Sequence, residues 1–242
     1  MLAYYDRIAE RWEQITGPKG GALKELVLND MLLKGLGSLS GCSILELGAG
    51  NGYFMRMAFR HLSGGLARRI VITDASAPLL EIAKDRRPVP GAEYQVLDIR
   101  GSFPFEDEAF DIIVAVMVFN EMTDAALRKT LQETHRVLRT GGRLLGAVVH
   151  PAFVESLHRR GELQKAGVLT MPGAQGVRLP VMRRTIETYA ALVNEAGFEV
   201  MFEDVKASRA VRLRKPGLTY AGNIPIALQI GGTKRVQAEP SA

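Results

Sequence analysis

Gly48, Gly50 and Gly52 stand at alternate positions directly after the apolar run Ile44-Leu45-Glu46-Leu47. Glycine accepts positive φ and, lacking a Cβ, lets a ligand lie against the backbone N–H groups. A buried strand that ends in such a turn and opens a helix, here from Tyr53 to Phe59, is a cofactor-holding device. Asp74 closes a second apolar run about 20 residues past the glycines, where a carboxylate can accept both hydroxyls of a ribose. Its plainer role is a helix N-cap, which Ser76 would fill equally well. Asp98, Glu121 and His150 close three further runs. Histidine titrates near neutral pH, so His150, in Val148-Val149-His150-Pro151, is the candidate general base, with a polar turn residue as the alternative. Glu121, in Phe119-Asn120-Glu121-Met122, would orient an amine, hold a cation or cap a helix. Asp98 would otherwise be a turn-forming aspartate.

Strand and helix patterns alternate from Cys42 onward. Strands are expected at Ser43–Leu47, Arg69–Thr73 (after the turn Ser63-Gly64-Gly65), Glu93–Leu97, Phe110–Val118, Arg143–Val149, Phe198–Val205 and Ile224–Ile230. The Phe110–Val118 run is almost wholly apolar, as a strand buried on both faces should be. Asp124–Leu138 reads as an amphipathic helix closed by Gly141-Gly142, and Thr185–Ala196 as one closed by Gly197. Tyr5, Ile8, Ala9 and Trp12 have helical spacing, broken at Gly17–Gly21 and resumed at Leu23, Leu26, Val27 and Met31. Regular β-α alternation implies an open sheet whose ligand lies beyond the carboxyl ends of the strands, where the singled-out residues fall. Residues 151–184 hold scattered prolines and glycines and are long for a connection, which suggests an irregular lid or substrate insert. Gly217–Pro225, with Tyr220 and Asn223, precedes the last strand.

Composition narrows the field. Nearly half the residues are hydrophobic, enough for a sizeable core. No apolar run approaches the roughly 18 residues of a membrane helix. Met1–Arg7 lacks the layout of a secretory leader, so a cytoplasmic location is expected. Cys42 is the single cysteine, which rules out an intrachain disulfide and a cysteine metal cluster. No His/Asp/Glu group has metal-ligand spacing, so no metal is expected. The net charge of +5 comes largely from Arg178–Arg184 and from Lys206–Lys215 with Arg209, Arg212 and Arg214. These read as solvated surface or strand edge. No aromatics interleave with them to stack bases, which argues against a nucleic-acid partner.

The glycine loop carries Tyr53 where the dinucleotide fingerprint needs a glycine, and its pattern is E-x-G-x-G-x-G. That pattern resembles motif I of the class I S-adenosylmethionine-dependent methyltransferases. Phe110-Asp111 with its apolar run, and Leu138-Arg139-Thr140-Gly141-Gly142-Arg143-Leu144, resemble two further blocks of the family, the second with Thr140 in place of the usual proline. The resemblance covers residues 40–150. It implies a Rossmann-like α/β fold: a doubly wound, mostly parallel seven-stranded sheet with helices on both faces, an N-terminal helical cap and a lid insert after strand five. One domain over 1–242 would divide into cap (1–40), cofactor core (41–150), insert (151–184) and C-terminal helix and strands (185–242). The implied cofactor is S-adenosylmethionine, left as S-adenosylhomocysteine. Glu46, Gly48, Ala49, Gly50 and Gly52 would approach its amino-acid end, with Asn120 in the loop beside them. Asp74 and Ala75 would meet the ribose, Asp98 and the Ile99 N–H the adenine, and Tyr5 would cap the ligand from the N-terminal helix. The implied activity is methyl transfer to an oxygen or nitrogen of a small molecule, in secondary metabolism by expectation. RNA or protein methylation, a cofactor-binding subunit without turnover and an NAD-dependent oxidoreductase are the rival readings. The sequence carries no account of oligomeric state, and a homodimer is left open.

Overall fold

The computed structural model describes residues 2–62, 66–164, 168–170, 177–208 and 224–235. The turn at 63–65, part of the insert (165–167 and 171–176), the basic stretch from 209 and residues 217–223 lie outside them.

α1 (Leu2–Thr16) is followed by a 3-10 turn (Gly17–Lys19), a π-helical turn (Lys24–Leu28) and α2 (Asn29–Leu36). The alternating part runs β1 (Ser43–Leu47), α3 (Tyr53–His61), β2 (Arg69–Asp74), α4 (Ala77–Arg86), β3 (Glu93–Val96), β4 (Phe110–Val116), α5 (Asp124–Val137) and β5 (Leu138–Val149). Next come α6 (Pro151–Arg159), the short strands β6 (Leu163–Gln164), β7 (Val168–Thr170) and β8 (Arg178–Pro180), α7 (Ile186–Glu195), β9 (Phe198–Val205) and β10 (Ala227–Lys234).

Seven strands form one sheet in the order β3-β2-β1-β4-β5-β10-β9. β1 to β5 pair in parallel, and β10 runs antiparallel to both its neighbours. Strand alternation sends Leu45, Leu47, Ile113 and Ala115 into a core under α5 and α7, and Ile44, Ile72, Ile112 and Val114 into a second core under α2 and α3. Asp111 accepts hydrogen bonds from the Ser43 N–H (2.8 Å) and from Arg68 (2.9 Å), tying the amino ends of β1 and β4. Their carboxyl ends diverge, because β1 leads outward to β2 while β4 leads the other way to β5. A crevice forms there in open α/β sheets.

Three expectations need correction. Gly141-Gly142 does not close α5: the helix ends at Val137 and Leu138 already pairs with Phe110. Ile112 then pairs with Arg143, so Arg139–Gly142 bulge out of β5, and a Cβ on Gly142 would lie 2.7 Å from the Arg139 carbonyl oxygen. Residues 151–184 are not irregular throughout: they open with α6 and include a three-stranded antiparallel sheet, β6-β7-β8. β4 stops at Val116, since Met117 takes φ 61 and turns the chain across the strand ends.

Candidate active site

A cavity of about 840 Å³ opens at the carboxyl ends of β1, β2 and β4, beneath α1 and the insert. The glycine turn forms its floor. Gly48 has φ +65, and a Cβ there would sit 2.7 Å from Val118 Cγ2. Gly50 has φ +58, and its N–H donates to Asp74 Oδ2 at 2.7 Å. The Ser76 N–H holds the other oxygen, Oδ1, at 2.9 Å, and the Ser76 hydroxyl caps α4. Asp74 thus braces the loop with one lone pair of each oxygen and lines the cavity beside Ala75. Ala49 is pinned to β2 by its N–H on the Thr73 carbonyl at 2.9 Å, and Gly52 precedes α3.

Two more carboxylates and one ammonium lie in the wall. Glu46, on β1, is 2% exposed, and burial pushes its carboxyl up to about 8 against the pull of Lys24 and Arg56. Glu121, on the turn after β4, is likewise pushed up by burial to about 8. Its Oε1 accepts the Tyr5 hydroxyl of α1 at 2.7 Å. Lys24, in the π-helical turn, stands 4.6 Å above the Tyr53 ring and feels both Glu46 and Glu121. Burial brings its ammonium down to about 8. Neither Lys24 nor Tyr53 was singled out as a site residue. Nothing periodic marks a lysine in a lone turn after Gly20-Gly21, although Tyr53 was visible as the residue that breaks the dinucleotide pattern. Gly20 makes the ring's place, since a Cβ there would meet Tyr53 at 2.5 Å.

α1 touches the site through two adjacent residues. Tyr5 reaches Glu121, and the Tyr4 hydroxyl accepts from the Arg178 N–H of β8 at 2.6 Å. The turn at 119–122 is stitched to the end of the insert. The Met182 N–H donates to the Asn120 carbonyl at 2.8 Å, while Arg184 donates to Phe119 O, Met122 O and Asp124. Arg184 is 7% exposed, so this member of the Arg178–Arg184 run is a buried clamp and not solvated surface.

Of the residues read from sequence, Tyr5, Glu46, Gly48, Ala49, Gly50, Asp74, Ala75, Asp98, Ile99, Asn120 and Glu121 share this cavity, and Gly52 lies next to it. Asp98 is already engaged by Arg100 through two bonds of 2.8 and 2.7 Å. Ile99 is buried and its carbonyl accepts the Thr130 hydroxyl. His150 is the correction. It is 4% exposed, does not line the cavity, and caps α6: Nδ1 accepts the Ala152 N–H at 3.0 Å. Nε2 therefore carries the proton and faces Asp204 Oδ1 at 3.1 Å. With both ring nitrogens committed, it has no lone pair for a base's work.

Three buried polar atoms on the cavity wall lack a hydrogen-bond partner: Glu46 Oε2, Tyr53 Oη and Asn120 Oδ1. Two are acceptors, so the site fits a ligand carrying an ammonium group and hydroxyl donors. An open α/β sheet with this glycine turn at its switch point defines a nucleotide-cofactor protein.

The comparisons make the class specific. The family profile described as "Methyltransferase domain" matches residues 44–142. Malonyl-[acyl-carrier protein] O-methyltransferase 1 of Coxiella burnetii is 34% identical over 121 residues, which are 50% of this chain and 38% of that relative. This chain therefore matches less than half that protein's length. The ubiquinone/menaquinone biosynthesis C-methyltransferase UbiE of Vibrio parahaemolyticus is 27% identical over 203 residues, 74% of this chain and 77% of the relative. Among solved structures, an S-adenosylmethionine-dependent methyltransferase from Mesorhizobium loti superposes with a TM-score of 0.66 at 21% identity, covering 90% of this chain and 100% of that one. The [4+2]-cyclase SpnF superposes at 0.65 with 19% identity, over 97% and 95%. Residues 44–142 match the methyltransferase-domain family, and the fold of the chain is that of S-adenosylmethionine-dependent methyltransferases. Among the described residues no helix is long and apolar enough to cross a membrane.

Proposed function

We propose that the chain is an S-adenosylmethionine-dependent methyltransferase acting on an oxygen or nitrogen of a small apolar molecule. The observation that carries this reading is the division of the cavity wall. One part holds the glycine turn with Glu46, Asp74 and Asp98; the other is built from Val149, Phe153, Leu157, Leu179 and Val181, with Glu162, paired to Arg160, as its carboxylate. Such a chamber takes an acceptor of low polarity, which gains from leaving water. The names of the relatives, an O- and a C-methyltransferase, agree with a site whose acceptor varies around a constant cofactor end.

Glu46 and Asn120, with their unpartnered oxygens, would hold the cofactor's ammonium, and Lys24 its carboxylate. Asp74 retains lone pairs for the ribose hydroxyls, and Asp98 and Ile99 stand where the adenine would lie. The cofactor supplies a methyl on a cationic sulfur: the acceptor's lone pair forms the new bond, and the pair of the broken C–S bond stays on sulfur. The protein's part is to orient the nucleophile and exclude water. Tyr5 closes the polar part from above, and the 119–122 turn, held by Arg184, fixes the boundary between the two parts.

Calorimetric titration with S-adenosylmethionine, S-adenosylhomocysteine and NAD tests the cofactor end. The first two should bind and NAD should not. Binding of NAD alone would replace this reading with an oxidoreductase. Turnover of a large RNA or protein, with no small acceptor methylated, would overturn the acceptor assignment.

A further inference from the structure

Glu121 stands on the turn that joins the cofactor part of the cavity to the apolar chamber. Its Oε1 is fixed by the Tyr5 hydroxyl, while Oε2 has no hydrogen-bond partner among the described residues. The charged and titratable groups that act on it are Tyr5 from α1, Lys24 from the π-helical turn and Asp74 from the end of β2. Among the described residues Lys24 forms no ion pair, and it rests on Tyr53. Arg100, the cavity's other cation, is held by Asp98. The remaining carboxylate toward the insert, Glu162, is paired with Arg160 at 2.6 Å. Glu121 is thus an oriented carboxylate with one free oxygen at the mouth of an apolar chamber.

We infer that Glu121 Oε2 takes the proton of the incoming nucleophile, and that this selects the acceptor class: a phenolic hydroxyl or an ammonium, not a carboxylate. This rests on the methyl-transfer reading and adds what that reading leaves open. A hydroxyl or ammonium must lose a proton as its lone pair is used, and Oε2 is the acceptor at hand, becoming a carboxylic acid as the O–H or N–H bond breaks. A carboxylate has no proton to give and brings a like charge against the ionised Glu121. A carboxyl of about 8 suits the task, since a base is most effective when its pKa lies near the working pH.

Three probes of one shape test this: 2-naphthol, 2-naphthylmethylamine and 2-naphthoate, each titrated into the protein with S-adenosylhomocysteine bound. At about pH 8.5, where Glu121 is ionised, wild type should bind the first two at least about ten-fold more tightly than the naphthoate, and Glu121→Gln should abolish that preference. Near neutral pH the amine should also drive a proton off Glu121, giving a heat that depends on the buffer in wild type and not in Glu121→Gln. Naphthoate binding as well as the amine, an unchanged ranking in Glu121→Gln, or no probe binding at all would overturn the inference. The S-adenosylhomocysteine titration of both proteins is read separately, so loss of cofactor binding counts against the methyl-transfer reading and not against Glu121's role.

Discussion

Tyr5 and Glu121 show how little structure is needed to give a carboxylate a defined state. Burial raises the Glu121 carboxyl, and the Tyr5 hydroxyl, by donating to the ionised form, pulls it partway back. Tyr5→Phe removes only that donor, so the carboxyl should titrate higher still, by about one unit. Carbon-13 NMR of labelled glutamate would read the shift, and an unmoved midpoint would show that the bond carries no weight. Asp74 works differently, because its oxygens hold the glycine loop before any ligand arrives. Asp74→Ala should weaken S-adenosylhomocysteine binding by about 1–3 kcal/mol through lost charge-assisted hydrogen bonds. Calorimetry showing unchanged affinity would remove Asp74 from the cofactor site.

Among the elements, the strands of the parallel half were legible because buried apolar runs bounded by turns have few alternatives. The glycines and the acids at strand ends were legible for the same reason: they punctuate those runs. What was hidden is cooperative or shape-dependent. His150 read as a general base or a polar turn residue, yet proline at the first helical position and a side-chain acceptor before it are also the signature of a helix start. Arg184 looked like one charge in a basic run, and only the fold brings the carbonyls of Phe119 and Met122 to it. Lys24 depends on a π-helical turn that no periodicity announces. Arg184→Met should cost about 2–4 kcal/mol, since it leaves buried carbonyls without donors. Urea unfolding measures this, and a loss below about 0.5 kcal/mol would mean that the clamp is replaceable by water.

For the molecule as a whole, the two raised carboxyls set a pH dependence of stability. Unfolded, Glu46 and Glu121 ionise near 4.5; folded, near 8. Between these values the folded chain holds more protons, so its stability falls as pH rises through that window. Lys24 has the opposite sign above about 8, where the folded chain binds fewer protons than the unfolded one up to 10.5, so stability recovers there. The ligand-free protein should be least stable near pH 8 and more stable at about pH 5. Thermal melts across that range check it, and the double variant Glu46→Gln, Glu121→Gln should fall less steeply than wild type, with the raised Asp74 carboxyl left to titrate.

The adjacent tyrosines of α1 have a kinetic consequence. Tyr4 is fastened to the insert and Tyr5 to the turn at 119–122, so a rise of α1 that uncovers the cofactor end also releases the wall of the apolar chamber. The two parts should then open together, so exchange at either is tied to the lifting of α1. Replacing Tyr4 with phenylalanine removes the hydroxyl that accepts from the Arg178 N–H, and should let the polar end open without the chamber. Faster dissociation of S-adenosylhomocysteine from that variant, read by stopped flow, checks it.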